Sequence, residues 1–128
     1  MTTELLEGYL NKLDRPFERS EDGTYVIIVH RQAIALRVAQ PVLVIQTEIG
    51  PVEADVAVQA RVFRRLLELN ASDLMHAAYA IEEDRIVLCA ALELANLDFN
   101  ELEAVLADMD LALSKHVPGL RQMSQQEG

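Results

Sequence analysis

The chain has 128 residues, of which 11 are basic and 21 acidic, giving a net charge of −10 and a pI near 4.6. This length predicts one domain, and the acidic balance excludes the usual kind of nucleic-acid binder and disfavours anionic membranes, because both need a basic face. Cys89 is the only cysteine, so we expect neither an internal disulfide nor a cysteine-based zinc site.

The start of the chain and its hydrophobicity bear on where the protein acts. Residues 1–10 contain two glutamates and no basic cluster, and no apolar run approaches the ~20 residues of a membrane span. We therefore expect a soluble protein of the reducing cytoplasm. Apolar residues nevertheless make up 51% of the chain. They either fill an aliphatic core or leave apolar surface for a partner, and both interpretations stay open.

The first half of the chain predicts one helix followed by three strands. Apolar residues recur at helical spacing over residues 3–13, and Pro16 ends this helix. The β-branched run Tyr25–Val29 predicts a strand, the alternation over residues 34–38 predicts a second, and Val42–Ile49 predicts a third. Because the three runs are closely spaced, an antiparallel meander is the simplest arrangement.

The next part of the chain predicts a helix and a hairpin. Helical spacing returns over residues 53–69, and Asn70 can close that helix in the left-handed conformation. Two apolar strands, Met75–Ile81 and Arg85–Leu92, then flank the acidic segment Glu82–Asp84, which predicts a hairpin with an acidic turn.

A capped helix closes the predicted fold. Asp98 with Glu101 three residues later resembles a capping box, and Pro118 with Gly119 predicts the end of that helix. The element order is α-β-β-β-α-β-β-α, which predicts an α+β fold with helices packed on one face of a mostly antiparallel sheet. We expect a single domain over residues 1–119 and a flexible polar tail over residues 120–128.

No motif for catalysis, phosphate binding or cofactor binding is present. His30 is predicted in a turn and His116 in the last turn of a helix, while His76 has no clear place. Cys89 lies among apolar neighbours and is predicted to be a small buried side chain. The sequence therefore predicts no enzyme, no catalytic residue, no cofactor and no metal.

Charged side chains cluster in three places. The acidic segment Glu82–Asp84 is predicted to be a solvated turn. Four acidic residues are predicted on the solvated face of the last helix: Glu101, Glu103, Asp108 and Asp110. The middle helix carries three arginines close together, Arg61, Arg64 and Arg65. They either balance the charge, with Arg64 paired to Glu68, or meet acidic groups of a partner; both interpretations stay open.

Three short segments carry a resemblance to a known family. They are the leucine-rich helix end Leu66–Asn70, the acidic turn Glu82–Asp84, and the capped helix start Leu97–Leu102. With the element order, they make the chain similar to the CesT/Tir-type class of type III secretion chaperones and to the related YbjN-type proteins. The likeness covers residues 60–115 best.

The resemblance implies a homodimer without ATPase activity that holds an extended or unfolded segment of a protein client, such as a secreted effector. By that analogy the middle helix lies at the dimer interface, with these residues: Val58, Arg61, Val62, Arg65 and Leu66. The first helix and the sheet are the corresponding places for client contacts, with these residues: Leu6, Leu10, Leu36 and Val38. We expect no nucleic-acid or membrane partner.

Other functions stay open at this point. A YbjN-like protein would have a regulatory or general protein-interaction role without a secretion client. A small enzyme or ligand-binding domain would need a pocket with converging polar groups, for which the sequence gives no indication. A structural subunit of a larger assembly would depend on another chain for its stability.

Overall fold

Six antiparallel strands form one sheet in the order β1-β2-β3-β4-β6-β5, which confirms the predicted α+β class. In the computed structural model, which describes residues 3–124, the strands are β1 (Phe17–Arg19), β2 (Tyr25–Val29), β3 (Gln32–Ala39), β4 (Val42–Pro51), β5 (Ala78–Glu82) and β6 (Arg85–Glu93). β1 was not predicted, because three residues are too few to show an alternating pattern. β5 begins at Ala78 and not at Met75 as predicted.

Three of the hairpins close with two-residue turns, and two of these turns share one backbone conformation. His30 and Arg31 join β2 to β3, and Glu83 and Asp84 join β5 to β6. All four residues have positive φ angles, between 49° and 66°. Such pairs form type I′ turns, whose twist matches that of antiparallel strands. The predicted turn position of His30 is thereby confirmed. Of the predicted acidic turn, Glu83 and Asp84 form the turn, whereas Glu82 is the last residue of β5.

Alternation along the strands gives the sheet a covered face and an open face. Side chains such as Ile27, Leu36 and Ile45 lie on the covered face and are buried in the core beneath the helices. Their strand neighbours point the other way, and Ala35 and Val44 on this open face are only partly buried. Two consecutive residues of a strand therefore lie in very different surroundings.

Helix α1 (Thr3–Lys12) lies over the covered face, in the place that the periodicity predicted. Its residues Leu6 and Leu10 are wholly buried in the core. The ring of Tyr9 packs edge-on against that of Phe99, at 5.8 Å between centroids. The helix is thus attached both to the sheet and to the start of the last helix.

Helix α2 (Val56–Ser72) connects β4 to β5 and is longer at its end than predicted. Asp55 caps its start by accepting a hydrogen bond from the Val58 amide at 3.0 Å. Asn70 was predicted to close the helix, but it lies within the helix, which ends at Ser72. Its amide side chain instead bonds Tyr79 of β5, accepting from the backbone N–H at 2.8 Å and donating to the carbonyl at 3.2 Å.

The last helix continues past its predicted end. α3 (Phe99–Leu111) begins at Asp98, whose side chain accepts from the Glu101 amide at 2.8 Å, as the capping box predicted. It passes through a π-helical turn, Ala112–His116, directly into α4 (Val117–Ser124). Pro118 lies in the first turn of α4, directly after the π turn.

The π turn explains why the proline and glycine do not end this helix. The Val117 amide bonds the Ala112 carbonyl, five residues back, which is the wider spacing of a π-bulge. The predicted flexible tail therefore begins inside α4. Leu120 is buried in the core, and residues 125–128 lie outside the described part of the chain.

Candidate functional site

The residues predicted to contact a client lie mostly inside the molecule. Leu6, Leu10 and Leu36 have no solvent-exposed surface, and Val38 is partly buried against the same core. The structure therefore does not place the first three on a client-binding surface. Each occupies the side of α1 or β3 that faces the space between helix and sheet, because burying aliphatic side chains there is what stabilises the fold.

The residues predicted at a dimer interface divide into two groups. Val58, Val62 and Leu66 form the inner side of α2 and are buried in the chain's own core. Arg61 and Arg65 are exposed. The three aliphatic side chains therefore pack within the same chain, and the dimer interface itself stays a prediction.

α2 presents two different exposed flanks. At about 100° per residue, Arg61 and Arg65 lie on the flank towards α4, whereas Phe63 and Leu67 lie on the flank towards β5. This apolar flank was not predicted, because it adjoins the buried side of the helix. A second row at helical spacing was its signal in the sequence: Val56, Ala60, Phe63 and Leu67.

An apolar groove lies between this flank of α2 and the edge strand β5. It encloses about 260 Å³, and Phe63, Leu67, Tyr79 and Ile81 are among its lining residues. Leu67 is 69% exposed and Ile81 49% exposed, which is unusual for large aliphatic side chains. Since β5 is the last strand of the sheet, the backbone groups on its outer side have no strand partner among the described residues. We call this region the edge groove.

A broader depression of about 600 Å³ lies on the open face of the sheet. Small or aliphatic side chains such as Ala33, Ala35 and Val44 form its base. Charged side chains stand around it: Asp22, Arg37, Glu48 and Glu82. We call this region the open-face groove. Its rim carries more acidic than basic groups, in keeping with the net charge of the chain.

Asp108 is buried and is not on the solvated face where it was predicted. One of its carboxylate oxygens, Oδ2, accepts three backbone hydrogen bonds, from Met75 at 2.9 Å, His76 at 2.6 Å and Ala77 at 2.9 Å. These amides belong to the segment that leads into β5. A carboxylate on α3 therefore fixes the position at which the edge strand begins.

His116 also differs from its prediction, because it is buried in the π turn and joins two other elements. Its Nδ1 lies 3.1 Å from the hydroxyl of Tyr79, and its Nε2 lies 2.9 Å from a carboxylate oxygen of Asp73. The bond from His116, followed by one from Ser72, holds the pKa of Asp73 below its usual range. Burial, and then the charge of Asp73, raise the pKa of Tyr79 well above its usual value.

The remaining candidate residues do not form a reactive site. Cys89 is partly exposed on the open face, not buried as predicted, and burial followed by the nearby Glu82 raises the pKa of its thiol. His30 contacts Asp110, whereas the ring of His76 is exposed. Within residues 3–124, no three His, Cys, Asp or Glu side chains come together in a way that could hold a metal ion.

The arginine of β6 forms an ion pair, whereas the arginines of α2 do not in the described part of the chain. Arg85 binds Glu48 through two parallel hydrogen bonds, of 2.7 and 2.5 Å, and these bonds lower the pKa of the Glu48 carboxyl. In the described part of the chain, Arg61, Arg64 and Arg65 have no carboxylate within 4.0 Å. The predicted pairing of Arg64 with Glu68 is therefore not formed.

A comparison of the sequence with protein-family models identifies the family of this chain. The CesT_Tir_1 model matches residues 1–126, almost the whole chain. The chain belongs to the CesT_Tir_1 family. The family resemblance seen in the sequence is thereby confirmed, and it extends over the first half of the chain as well. No curated protein sequence matches significantly.

Solved structures with a similar fold include a type III secretion complex, a chaperone–effector complex and YbjN. The ExoU–SpcU complex of the Pseudomonas aeruginosa type III secretion system has a TM-score of 0.69 at 20% identity, covering 87% of this chain and 93% of that one. The HopA1–SchA chaperone–effector complex gives 0.63 at 17%, covering 94% and 92%. YbjN from E. coli gives 0.64 at 11%, covering 88% and 89%. At these identities the likeness establishes a shared fold.

The helices of the structure also bear on membrane insertion. Across residues 3–124, none of them is both long and apolar enough to span a bilayer.

Proposed function

We propose that this chain is a cytoplasmic, non-enzymatic homodimer that acts as a chaperone by holding an extended segment of a protein client. Membership of the CesT_Tir_1 family supports this proposal, as does the fold shared with the ExoU–SpcU and HopA1–SchA complexes. The observation that carries it is apolar surface that the chain does not cover with its own elements, in the edge groove and the open-face groove.

The open-face groove suits an extended client. Its base of small side chains, including Ala33 and Ala35, leaves the sheet flat enough for a peptide to lie close to it. An extended segment pays ordering entropy on binding, so its affinity has to come from apolar side chains buried against this base. The acidic rim favours a segment with basic side chains beside its apolar anchors.

The edge groove suits a second copy of the chain. Leu67 and Ile81 expose large aliphatic surface beside β5, the last strand of the sheet in the described part of the chain, and this combination invites association. Among the described residues, the outer edge of β5 is occupied only at Tyr79, by the side chain of Asn70. A twofold axis near α2 would bury the same groove on both protomers. In this arrangement the predicted role of α2 is kept, but Phe63 and Leu67 supply the contacts, with Leu66 at the base of the groove.

The dimer is tested by replacing Leu67 with Asp and measuring mass by sedimentation equilibrium. Burying a leucine contributes about 1.5–3 kcal/mol, and a twofold interface contains it twice, so we expect dissociation to increase by at least about 100-fold. Leu67→Asp should still fold, because the side chain is exposed in the monomer. Met75→Asp, at another exposed apolar residue, is the matched control. Equal dimer masses for both variants would contradict the interface.

The client is tested by affinity capture from the lysate of the native host, followed by mass spectrometry. Wild type is compared with Val44→Glu, which places a charge in the base of the open-face groove, and with Glu103→Gln as control. We expect one protein that binds through a short segment, that is lost on deleting that segment, and that Val44→Glu does not capture. Recovery of the chain alone, or equal capture by all three proteins, would contradict the proposal.

The likeness to YbjN favours a second candidate function, a regulatory or general protein-interaction role without a secretion client. The same capture experiment separates the two. A client held through an N-terminal segment supports the chaperone, whereas a folded partner captured independently of any such segment supports the second candidate.

A further inference from the structure

A second cleft lies on the opposite flank of α2, between that helix and the π turn with α4. It encloses about 250 Å³. Arg65 stands on one side of it and Lys115 on the other, while Leu69, Leu120 and Met123 supply apolar walls. This volume accommodates one or two side chains and is smaller than the pockets that hold drug-sized ligands, at about 300–1,000 Å³. We call it the basic cleft.

The cations of the basic cleft are available to a ligand. Arg65 and Lys115 are both exposed, and within residues 3–124 neither has a carboxylate within 4.0 Å. Asp73, the nearby acid, is already engaged, since one of its carboxylate oxygens bonds His116 and the other bonds Ser72. The charge of Arg65 acts on Asp73 at longer range, where it helps to lower the pKa of that carboxyl. Two cations without a close ion-pair partner among residues 3–124 face one small depression, in a chain whose net charge is −10.

We propose that the basic cleft binds a short acidic segment of a protein partner, with an aspartate or glutamate side chain between Arg65 and Lys115 and an adjacent aliphatic side chain against Leu120. A guanidinium binds a carboxylate through two parallel bonds, and the apolar walls reward a neighbouring hydrophobic group. A nucleic acid or an anionic membrane fits poorly, because the strongly acidic remainder of the surface repels an extended polyanion. The proposal does not depend on where the client binds.

Gly119 offers a way to block the cleft without disturbing the fold. It lines the cleft, and a Cβ added to it would meet no atom within 4 Å. Gly119→Glu should therefore fold and place a carboxylate four residues after Lys115, in the position where the partner's acid would bind. Gly119→Ala is the uncharged control. Gly8→Glu, at an equally open helical glycine on α1, controls for the added charge.

The experiment selects phage-displayed random dodecapeptides on the full-length wild type and measures the affinity of the selected peptides for each variant. We expect peptides that carry Asp or Glu beside an aliphatic residue. Their affinity should fall at least about tenfold with Gly119→Glu and with Arg65→Glu, the loss of about one charge-assisted hydrogen bond, and stay unchanged with the two controls.

Several outcomes would overturn the inference. They are the selection of no peptide, the selection of peptides without acidic residues, and equal binding of acidic peptides to wild type and Gly119→Glu. Displacement of the peptide by an oligonucleotide or by phosphatidylserine vesicles would also overturn it, by identifying a polyanion site. Should Gly119→Glu fail to fold, Lys115→Glu replaces it, since that side chain is exposed. Dimer mass and client capture by Gly119→Glu should match wild type, which keeps this test separate from that of the proposed function.

Discussion

Replacing Asp108 with alanine should cost more stability than removing any other acidic side chain of α3. Its Oδ2 is the acceptor for the amides of Met75, His76 and Ala77. Ala77 is buried, so its N–H loses its partner without gaining water, at about 1–3 kcal/mol. The other two amides belong to exposed residues and lose about 1 kcal/mol each. We therefore expect Asp108→Ala to lower the free energy of unfolding by about 3–5 kcal/mol.

Two further variants make this prediction measurable. Asp108→Asn keeps an oxygen in the acceptor position but removes the charge, so we expect a loss of about 2 kcal/mol. Glu103→Ala, on the exposed side of the same helix, should stay within about 0.5 kcal/mol of wild type. If Asp108→Ala is too unstable to purify, the asparagine variant still tests the ordering.

The assay is urea unfolding monitored by circular dichroism, with amide hydrogen exchange as the local readout. Because the three amides lead into β5, Asp108→Asn should speed exchange in Ala78–Glu82 more than in the central strands. Should Asp108→Ala and Glu103→Ala prove equally stable, or should β5 keep its protection, the carboxylate does not fix the edge strand and the reasoning fails.

Two other predictions concern the contacts that attach β5 to the helices. Asn70→Ala should lower the free energy of unfolding by about 1–3 kcal/mol in urea melts, because the buried Tyr79 amide loses its acceptor. Ala71→Ser on the exposed side of the helix is the control. Equal melting of the two variants would argue against the contact. Asp73→Asn removes a carboxyl whose pKa is lowered in the fold. Such a group stabilises the fold above its unfolded pKa, near 3.8, and stops doing so as pH falls through the lower folded value. Thermal melts should therefore show wild type more stable than Asp73→Asn at neutral pH and the gap closing below about pH 4; a gap independent of pH would refute this.

The order of elements and several of their boundaries could be predicted from the sequence, because they depend on local physics. Asp98 caps α3, and the turn Glu83–Asp84 closes its hairpin, where the sequence pattern placed them. The family could also be recognised from local segments such as Leu66–Asn70. Capping and turn formation involve residues within a few positions of one another, so the necessary information lies in a short stretch of chain.

The candidate surfaces could not be predicted in the same way. α2 carries apolar side chains around much of its circumference, so periodicity shows that the helix is amphipathic but not which row the sheet covers. Val62 is buried because it faces the core beneath the helix. Leu67 lies on the flank towards β5 and is exposed, because β5 is the last strand of the sheet. The assignment of these side chains to core or surface was therefore made by the tertiary structure.

The polar residues show the same division between local and distant causes. Asp108 accepts its hydrogen bonds from amides more than 30 residues away, and Asn70 does so across the gap between α2 and β5. Nothing near either residue in the sequence marks it as buried. The sequence by itself determined the order of the longer elements, the Asp98 cap and the family, since these depend on neighbouring residues. Only the tertiary structure decided which surfaces stay open to a partner, because burial depends on contacts between distant parts of the chain.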